Sequence, residues 1–390
     1  MSDDLIRIRR HLHAHPELSL QEHETAAFIE AELAGLGLET ARFAETGVVA
    51  VVRGDADGPT LGWRTDTDAL PILEASAAEY RSQNPGVMHA CGHDVHTTVG
   101  LGLARRLLER RSELAGAVKF VFQPAEEASP VDEPIGAERM VVEGVLGEPT
   151  VDAMFALHCM PTLDVGHIGY TGGSVWARSE LVEITIHGRK THAAYPHEGI
   201  DAVVVASHVV LALQTITSRR VDAREACVLS IGRLEAGNTY NVIADEARLT
   251  GILRTLADGT AELAMVEIRR IVDGICAGLG ATGEVSFTAG ARLTANDDAL
   301  ERRTVEALRR AVGAQRVVPH PPQMGAEDFA SFSTRVPGCY LFLGVRNEER
   351  GICHMIHTPQ FDVDESCIPF AVDAFSDALL NLASNWTRSP

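Results

Sequence analysis

Two adjacent glutamates, Glu126 and Glu127, follow the apolar run Val-Lys-Phe-Val-Phe-Gln-Pro-Ala. A neighbouring pair of this kind suits a hydrolytic centre in which one carboxylate binds a metal and the other, held off it, carries protons. Spacing alone does not say which does which. A second cluster, Met88-His89-Ala90-Cys91-Gly92-His93-Asp94-Val95-His96-Thr97, gathers soft and borderline metal donors just ahead of a helix. Asp94 also reads there as a plain helix N-cap. Asp66 and Asp68 follow LGWRT, and His158 follows VDAMFAL. Gly351-Ile352-Cys353-His354-Met355-Ile356-His357-Thr358-Pro359 comes near the C-terminus, ahead of FDVDE. Each piece alone has an ordinary explanation: a solvated loop for the glutamates, a core histidine for His158, a small buried filler for Cys91. Their common placement at the ends of elements is what points to a site.

The elements follow from hydrophobic patterning. GVVAVVRG, TLGWRT, AVKFVFQ and VDAMFALH are short apolar runs bounded by turn residues, and helical segments such as HTTVGLGLARRLLERR and AERMVVEGVL separate them. Strands without in–out alternation belong to a sheet covered on both faces, so the class is α/β. In such sheets ligands bind beyond the carboxyl ends of the strands, and three strands run there into Asp66 and Asp68, into Glu126 and Glu127, and into His158. Near the start, Ser19-Leu20-Gln21-Glu22 matches a capping box ahead of a helix that ends at Gly35 or Gly37. The middle changes rhythm. LVEITIHG, a long helix from IDAVVV to TSRR, ACVLSIGRLEAG, EARLTGILRT, a helix over 258–279 and TGEVSFTAG give β-α-β-β-α-β, the ferredoxin-like order. The chain thus divides into a larger domain, 1–178 and 292–390, and an inserted domain, 179–291. A helix near 297–313, the strand CYLFLG and a helix near 365–385 complete the larger one.

Composition narrows the function. The sequence has 390 residues, with Lys plus Arg 34 against Asp plus Glu 54 and a net charge of −20. Nucleic-acid binding needs clustered cations, so this balance argues against it. The opening MSDDLIRIRRHLHAHPE lacks the apolar stretch of a signal peptide, and no unbroken run of about 18 apolar residues predicts a membrane span. Seven scattered cysteines fit a reducing compartment, with cytoplasm the default.

Arg64-Thr65-Asp66-Thr67-Asp68-Ala69-Leu70-Pro71, HACGHDVHT, QPAEE, ALHCMP and HTPQFDVDE together resemble the M20 metallopeptidase family. They fit its aminoacylase and amidohydrolase branch, which includes hippurate and plant auxin-conjugate hydrolases, and the match runs in order over nearly the whole chain. The resemblance implies a mixed-sheet catalytic domain covered by helices on both faces, with an inserted ferredoxin-like lid and dimerisation domain. It implies Cys91, His93, Glu127, His158 and His357 as ligands of two divalent ions, Glu126 as the general base, and Asp66 as a residue orienting a ligand. Zinc suits cysteine and histidine donors, with manganese, cobalt or nickel as alternatives. In Gly188-Arg189-Lys190-Thr191-His192, the resemblance gives His192 the role of stabilising the oxyanion in a partner subunit, which implies a homodimer through the lid. Asn241 and Arg254 would contact the substrate. The sequence departs from the family at Ala244, often Pro, and at Gly325-Ala326-Glu327-Asp328-Phe329, where Ser often precedes the Glu. The implied activity is hydrolysis of N-acyl-L-amino acids. A metallo-dipeptidase or carboxypeptidase using the same site is the alternative, and an inactive metal-binding scaffold the reading from another class.

Overall fold

The computed structural model describes residues 2–128 and 134–387, and the chain forms two compact units. The larger comprises 1–173, 295–321 and 328–390; the smaller comprises 174–294 and 322–327. Segment 322–327, assigned by sequence to the larger domain, thus belongs with the smaller.

An eight-stranded mixed sheet organises the larger unit. From edge to edge its strands are Thr40–Phe43, Gly47–Arg53, Ala115–Gln123, Ala56–Asp66, Ala153–Asp164, Gly338–Arg346, Ile168–Tyr170 and Val317–Pro319. Ala56–Asp66 runs parallel to both Ala115–Gln123 and Ala153–Asp164. Consecutive residues of a strand face opposite sides, yet Val118, Lys119, Phe120, Val121 and Phe122 are all buried. Both faces are therefore covered, which is why these strands read as unbroken apolar runs. Burying a side chain such as Phe120 contributes about 1.5–3 kcal/mol. Helices Ser2–Ala14, His93–Glu109 and Cys367–Ser384 pack against one another beside this sheet. Cys367–Ser384 is long and apolar enough to cross a membrane by length and composition, but two thirds of it is buried in the core. Helix Ala202–Arg220 of the smaller unit passes the same test with a third buried. Asp373 and Asp377 lie within the first, and Ser207, His208 and Gln214 within the second, so neither is an unbroken apolar run.

The capping box does not form. Helix His23–Gly35 begins one residue after Glu22, with no side-chain cap from that residue. The Glu17 carboxylate takes the free amides of Glu24 and Thr25 instead, at 3.2 and 2.8 Å. Ser19 and Glu22 are turned to other partners: Ser19 donates to Asp68, and buried Glu22 accepts from Thr46 and from the Ala125 amide.

The smaller unit is a four-stranded antiparallel sheet in the order Thr282–Ala289, Arg178–His187, Glu246–Thr255, Cys227–Ala236. Helices Ala202–Thr215 and Asp258–Gly278 complete the β-α-β-β-α-β sequence. Val182, Ile184 and Ile186 are buried, whereas Leu181, Glu183 and Thr185 between them are not, so one face of the sheet packs on the helices. Asp201 caps the first helix through the Val203 amide.

Candidate metal centre

Strand Ala56–Asp66 ends on Asp66, with Asp68 two residues on. Strand Ala115–Gln123 passes through Pro124 and Ala125 to Glu126 and Glu127. Helix His93–Glu109 starts after Gly92, whose φ of 92° lies in the left-handed region. A Cβ there would sit 2.9 Å from Cys159 Cβ, so both the dihedral and the space call for glycine. Ala125 and His357 also have positive φ, 54° and 61°, despite their side chains. Each such residue costs on the order of 1–3 kcal/mol and persists only where its surroundings hold it. The His357 amide is held by the Ala90 carbonyl at 2.7 Å, which ties the C-terminal segment to the Cys91 loop.

His158 is not at the end of its strand, as the sequence suggested: the strand runs on to Asp164. Pairing with Ala56–Asp66 stops at Arg64 opposite Ala156, while pairing with Gly338–Arg346 continues through Phe342 opposite His158. His158 therefore lies just past the point where one neighbouring strand leaves.

The larger unit brings Cys91, His93, Glu126, Glu127, His158 and His357 together. Cys91 Sγ is 3.3 Å from both His158 Nε2 and His357 Nε2. Glu127 Oε1 is 3.2 Å from His357 Nε2 and 3.9 Å from His93 Nε2. Donor atoms of Cys91, His93 and His158, of Cys91, Glu127 and His357, and of His93, Glu126 and Glu127 each lie within 4.8 Å of one another. Cys91 joins the first two sets.

The far nitrogens of two of these rings are engaged elsewhere. His93 Nδ1 is 3.1 Å from Asp68 Oδ1, and His158 Nδ1 donates to the Cys159 carbonyl at 2.8 Å. In the neutral imidazole form both rings therefore present an Nε2 lone pair inward. His93 Nε2 is buried with no hydrogen-bond partner among the described residues. A buried ring nitrogen without a partner is costly unless something satisfies it, and with the Cys91, Glu127, His158 and His357 donor atoms grouped around it this set fits divalent metal.

The charges fit as well. Burial opposes a charge on His93, but Asp66 and Asp68 outweigh it and hold the imidazole up at about 10. Burial, with His96 and His93 nearby, pushes His158 well down. Burial and the Glu127 and Glu126 charges push the Cys91 thiol well up. Burial also opposes charge on Asp66, yet His93, His96 and Arg64 hold its carboxyl well below the usual range. A cation would reverse the balance at Cys91 and displace the proton of His93.

Asp66 lies 3.7 Å from His93 Nε2, but its hydrogen bonds go to His96 Nδ1 at 2.5 Å and Arg64 at 2.7 Å. Asp68 is the carboxylate on His93 Nδ1, and it also accepts from the Glu127 amide at 2.9 Å. Sequence placed Asp68 in the cluster without a role; its spacing of two from Asp66 was the available signal. Asp94 is neither ligand nor cap. It accepts from buried Arg9 at 2.9 Å and lies 2.8 Å from His13 Nδ1, and Arg9 also reaches Asp362.

Three expected residues belong to the smaller unit. Exposed His192 accepts the Ala194 amide on Nδ1 at 3.1 Å, which leaves its proton on Nε2. Asn241 is beside it, its carbonyl accepting from the Ala193 amide at 3.0 Å. Arg254, on strand Glu246–Thr255, has a buried Nη1 with no hydrogen-bond partner among the described residues.

A donor set of this composition at the carboxyl side of a mixed sheet defines a metallo-hydrolase. The chain belongs to peptidase family M20/M25/M40, whose model matches residues 62–381. It is 38% identical to N-acetylcysteine deacetylase of Bacillus subtilis over 96% of this chain and 95% of that one. It is 36% identical to thermostable carboxypeptidase 2 of Saccharolobus solfataricus over 97% and 95%. A solved dinuclear metal-binding M20 peptidase from Bacillus subtilis superimposes with a TM-score of 0.84 at 34% identity, covering 98% of each chain.

Proposed function

We propose that this protein hydrolyses N-acyl-L-amino acids to an amino acid and a carboxylic acid. The observation that carries this is the convergence of the Cys91 thiol, the Glu127 carboxylate and three imidazole Nε2 atoms, with Glu126 beside them. Cys91, His93, Glu127, His158 and His357 hold two divalent ions in this reading. When bound, such ions acidify water and polarise a carbonyl. Glu126 takes the proton of the attacking water and returns it to the leaving nitrogen. His192 Nε2–H, supplied by a second copy of the chain in a homodimer through the smaller unit, donates to the oxyanion. Asn241 and Arg254 bind the substrate, the guanidinium pairing with its carboxylate. The similarity to N-acetylcysteine deacetylase supports the acyl-amino-acid substrate, and that to a carboxypeptidase supports a peptide substrate as second reading.

The test is a screen of N-acetyl, N-benzoyl and indole-acyl amino acids beside dipeptides, with zinc, manganese, cobalt and nickel. Turnover of the acylated series, lost on chelation and restored by metal, is expected. A clear preference for dipeptides with a free amino group refutes the assignment. Full activity in a demonstrated monomer refutes the shared role of His192.

A further inference from the structure

His96 is buried one helical turn after His93, and the proposed chemistry does not use it. It forms a close donor trio with Asp66 and His93, which on composition alone resembles a metal site. Its hydrogen bonds exclude that role. His96 Nε2 accepts the Cys159 amide N–H at 2.9 Å, so the ring proton is on Nδ1 and is donated to Asp66 Oδ1. No lone pair is left for a cation.

The placement of these bonds is informative. Strands Ala56–Asp66 and Ala153–Asp164 pair only as far as Arg64 and Ala156. Beyond that point Asp66 and Cys159 are joined through the His96 side chain rather than by backbone pairing. Cys159 then carries the connection forward, because its carbonyl accepts from His158 Nδ1 at 2.8 Å. The His96 and His158 rings also meet edge to face, with centroids 4.9 Å apart. At the other end Asp66 is anchored by buried Arg64, which also donates to Gln123 Oε1 at 2.7 Å and to Asp328 at 2.9 Å.

We infer that His96 is a positioning residue: a crossbar between Asp66 and the Cys159 backbone that sets the orientation of His158, and through it the grip of the centre on metal. This rests on the metal-centre reading above. It ascribes to His96 an effect on metal retention that a core filler of the same size would not have.

The test compares wild type with H96Q and H96L after loading with Co(II), reading metal content, the visible Co(II) spectrum and the rate of metal loss to excess chelator. Glutamine can accept from Cys159 and donate to Asp66, whereas leucine fills space and does neither. Loss of an outer partner of a metal ligand typically weakens binding about 10–100-fold. H96L is expected to release Co(II) at least tenfold faster (roughly the lower end of that range) with an altered spectrum, and H96Q to stay close to wild type. H96L matching wild type in spectrum and release rate overturns the inference, and so does H96Q behaving as badly as H96L. Should H96L prove insoluble, H96N takes its place. The shorter amide reaches one partner but not both, so release intermediate between H96Q and complete loss supports the crossbar, and release at the wild-type rate overturns it. Failure of the wild-type protein to take up Co(II) would instead overturn the metal-centre reading itself.

Discussion

Replacing Asp68 with Asn tests the centre most directly, because one buried carboxylate steadies two proposed ligands. Asp68 Oδ1 faces His93 Nδ1 at 3.1 Å, and Oδ2 accepts from Ser19 at 2.6 Å and from the Glu127 amide at 2.9 Å. All three partners act as donors. An asparagine that keeps its oxygen on Ser19 and Glu127 turns an NH2 toward His93 Nδ1. That moves the ring proton to Nε2, the atom directed at the cation. The opposite amide orientation strands Ser19 and Glu127 instead. Either arrangement removes a hydrogen bond that holds a ligand from behind, a loss that costs about 10–100-fold in metal affinity, or about 1.4–2.8 kcal/mol at 1.4 kcal/mol per tenfold. A second effect acts in the opposite direction. Asp66 and then Asp68 raise His93, against its burial, to about 10, so below that pH a metal must displace its proton. D68N lowers that pKa and eases the displacement, which masks part of the loss at pH 7. The deficit is therefore expected to widen as pH rises from 7 toward 10. Zinc affinity by chelator competition at pH 7 and pH 9 reads both effects. Equal affinities for D68N and wild type at both values, or a deficit that narrows with pH, would refute the reasoning.

Glu126→Gln is expected to lower kcat by about 10²–10⁴ while metal content, read by elemental analysis, stays at the wild-type value; loss of metal would make Glu126 a ligand instead. Gly92→Ala adds a Cβ 2.9 Å from Cys159 Cβ at a φ of 92°. It is expected to destabilise the protein by about 1–3 kcal/mol, visible as a lower melting temperature even without metal. Burial pushes the Glu74 carboxyl up, but hydrogen bonds from His13, Ser76 and the Ser82 amide bring it from 4.5 to about 2. A depressed carboxyl stabilises the fold above its unfolded pKa and loses that contribution as pH falls through its folded one. Between pH 4.5 and 2 the melting temperature of wild type should therefore fall more than that of E74Q. Parallel curves would show that Glu74 contributes nothing there.

The strands and helices were legible because burial repeats along them locally. AVKFVFQ is apolar at successive positions because both faces of its strand are covered, and EARLTGILRT alternates because one face of its sheet is. The proposed ligands stood out because Cys, His and paired Glu are unusual at the ends of apolar strands. The capping box misled because a motif four residues long contains no information about competing partners. Glu17 supplies the cap, and Ser19 and Glu22 bond instead to residues far along the chain. The extent of the His158 strand was hidden for a similar reason, since its end depends on which neighbour continues beside it.

By itself, then, the sequence determined the element types, the inserted β-α-β-β-α-β order and the side chains able to bind metal, all of which depend on residue chemistry and short-range periodicity. Only the tertiary structure decided which atom of each side chain turns inward. Asp68 rather than Asp66 holds His93, His96 spans to Cys159, and Arg9 reaches both Asp94 and Asp362. These hydrogen bonds join residues 25 to 353 positions apart. Their partners are selected by the packing of strands and helices against one another, and no pattern along the chain records that choice.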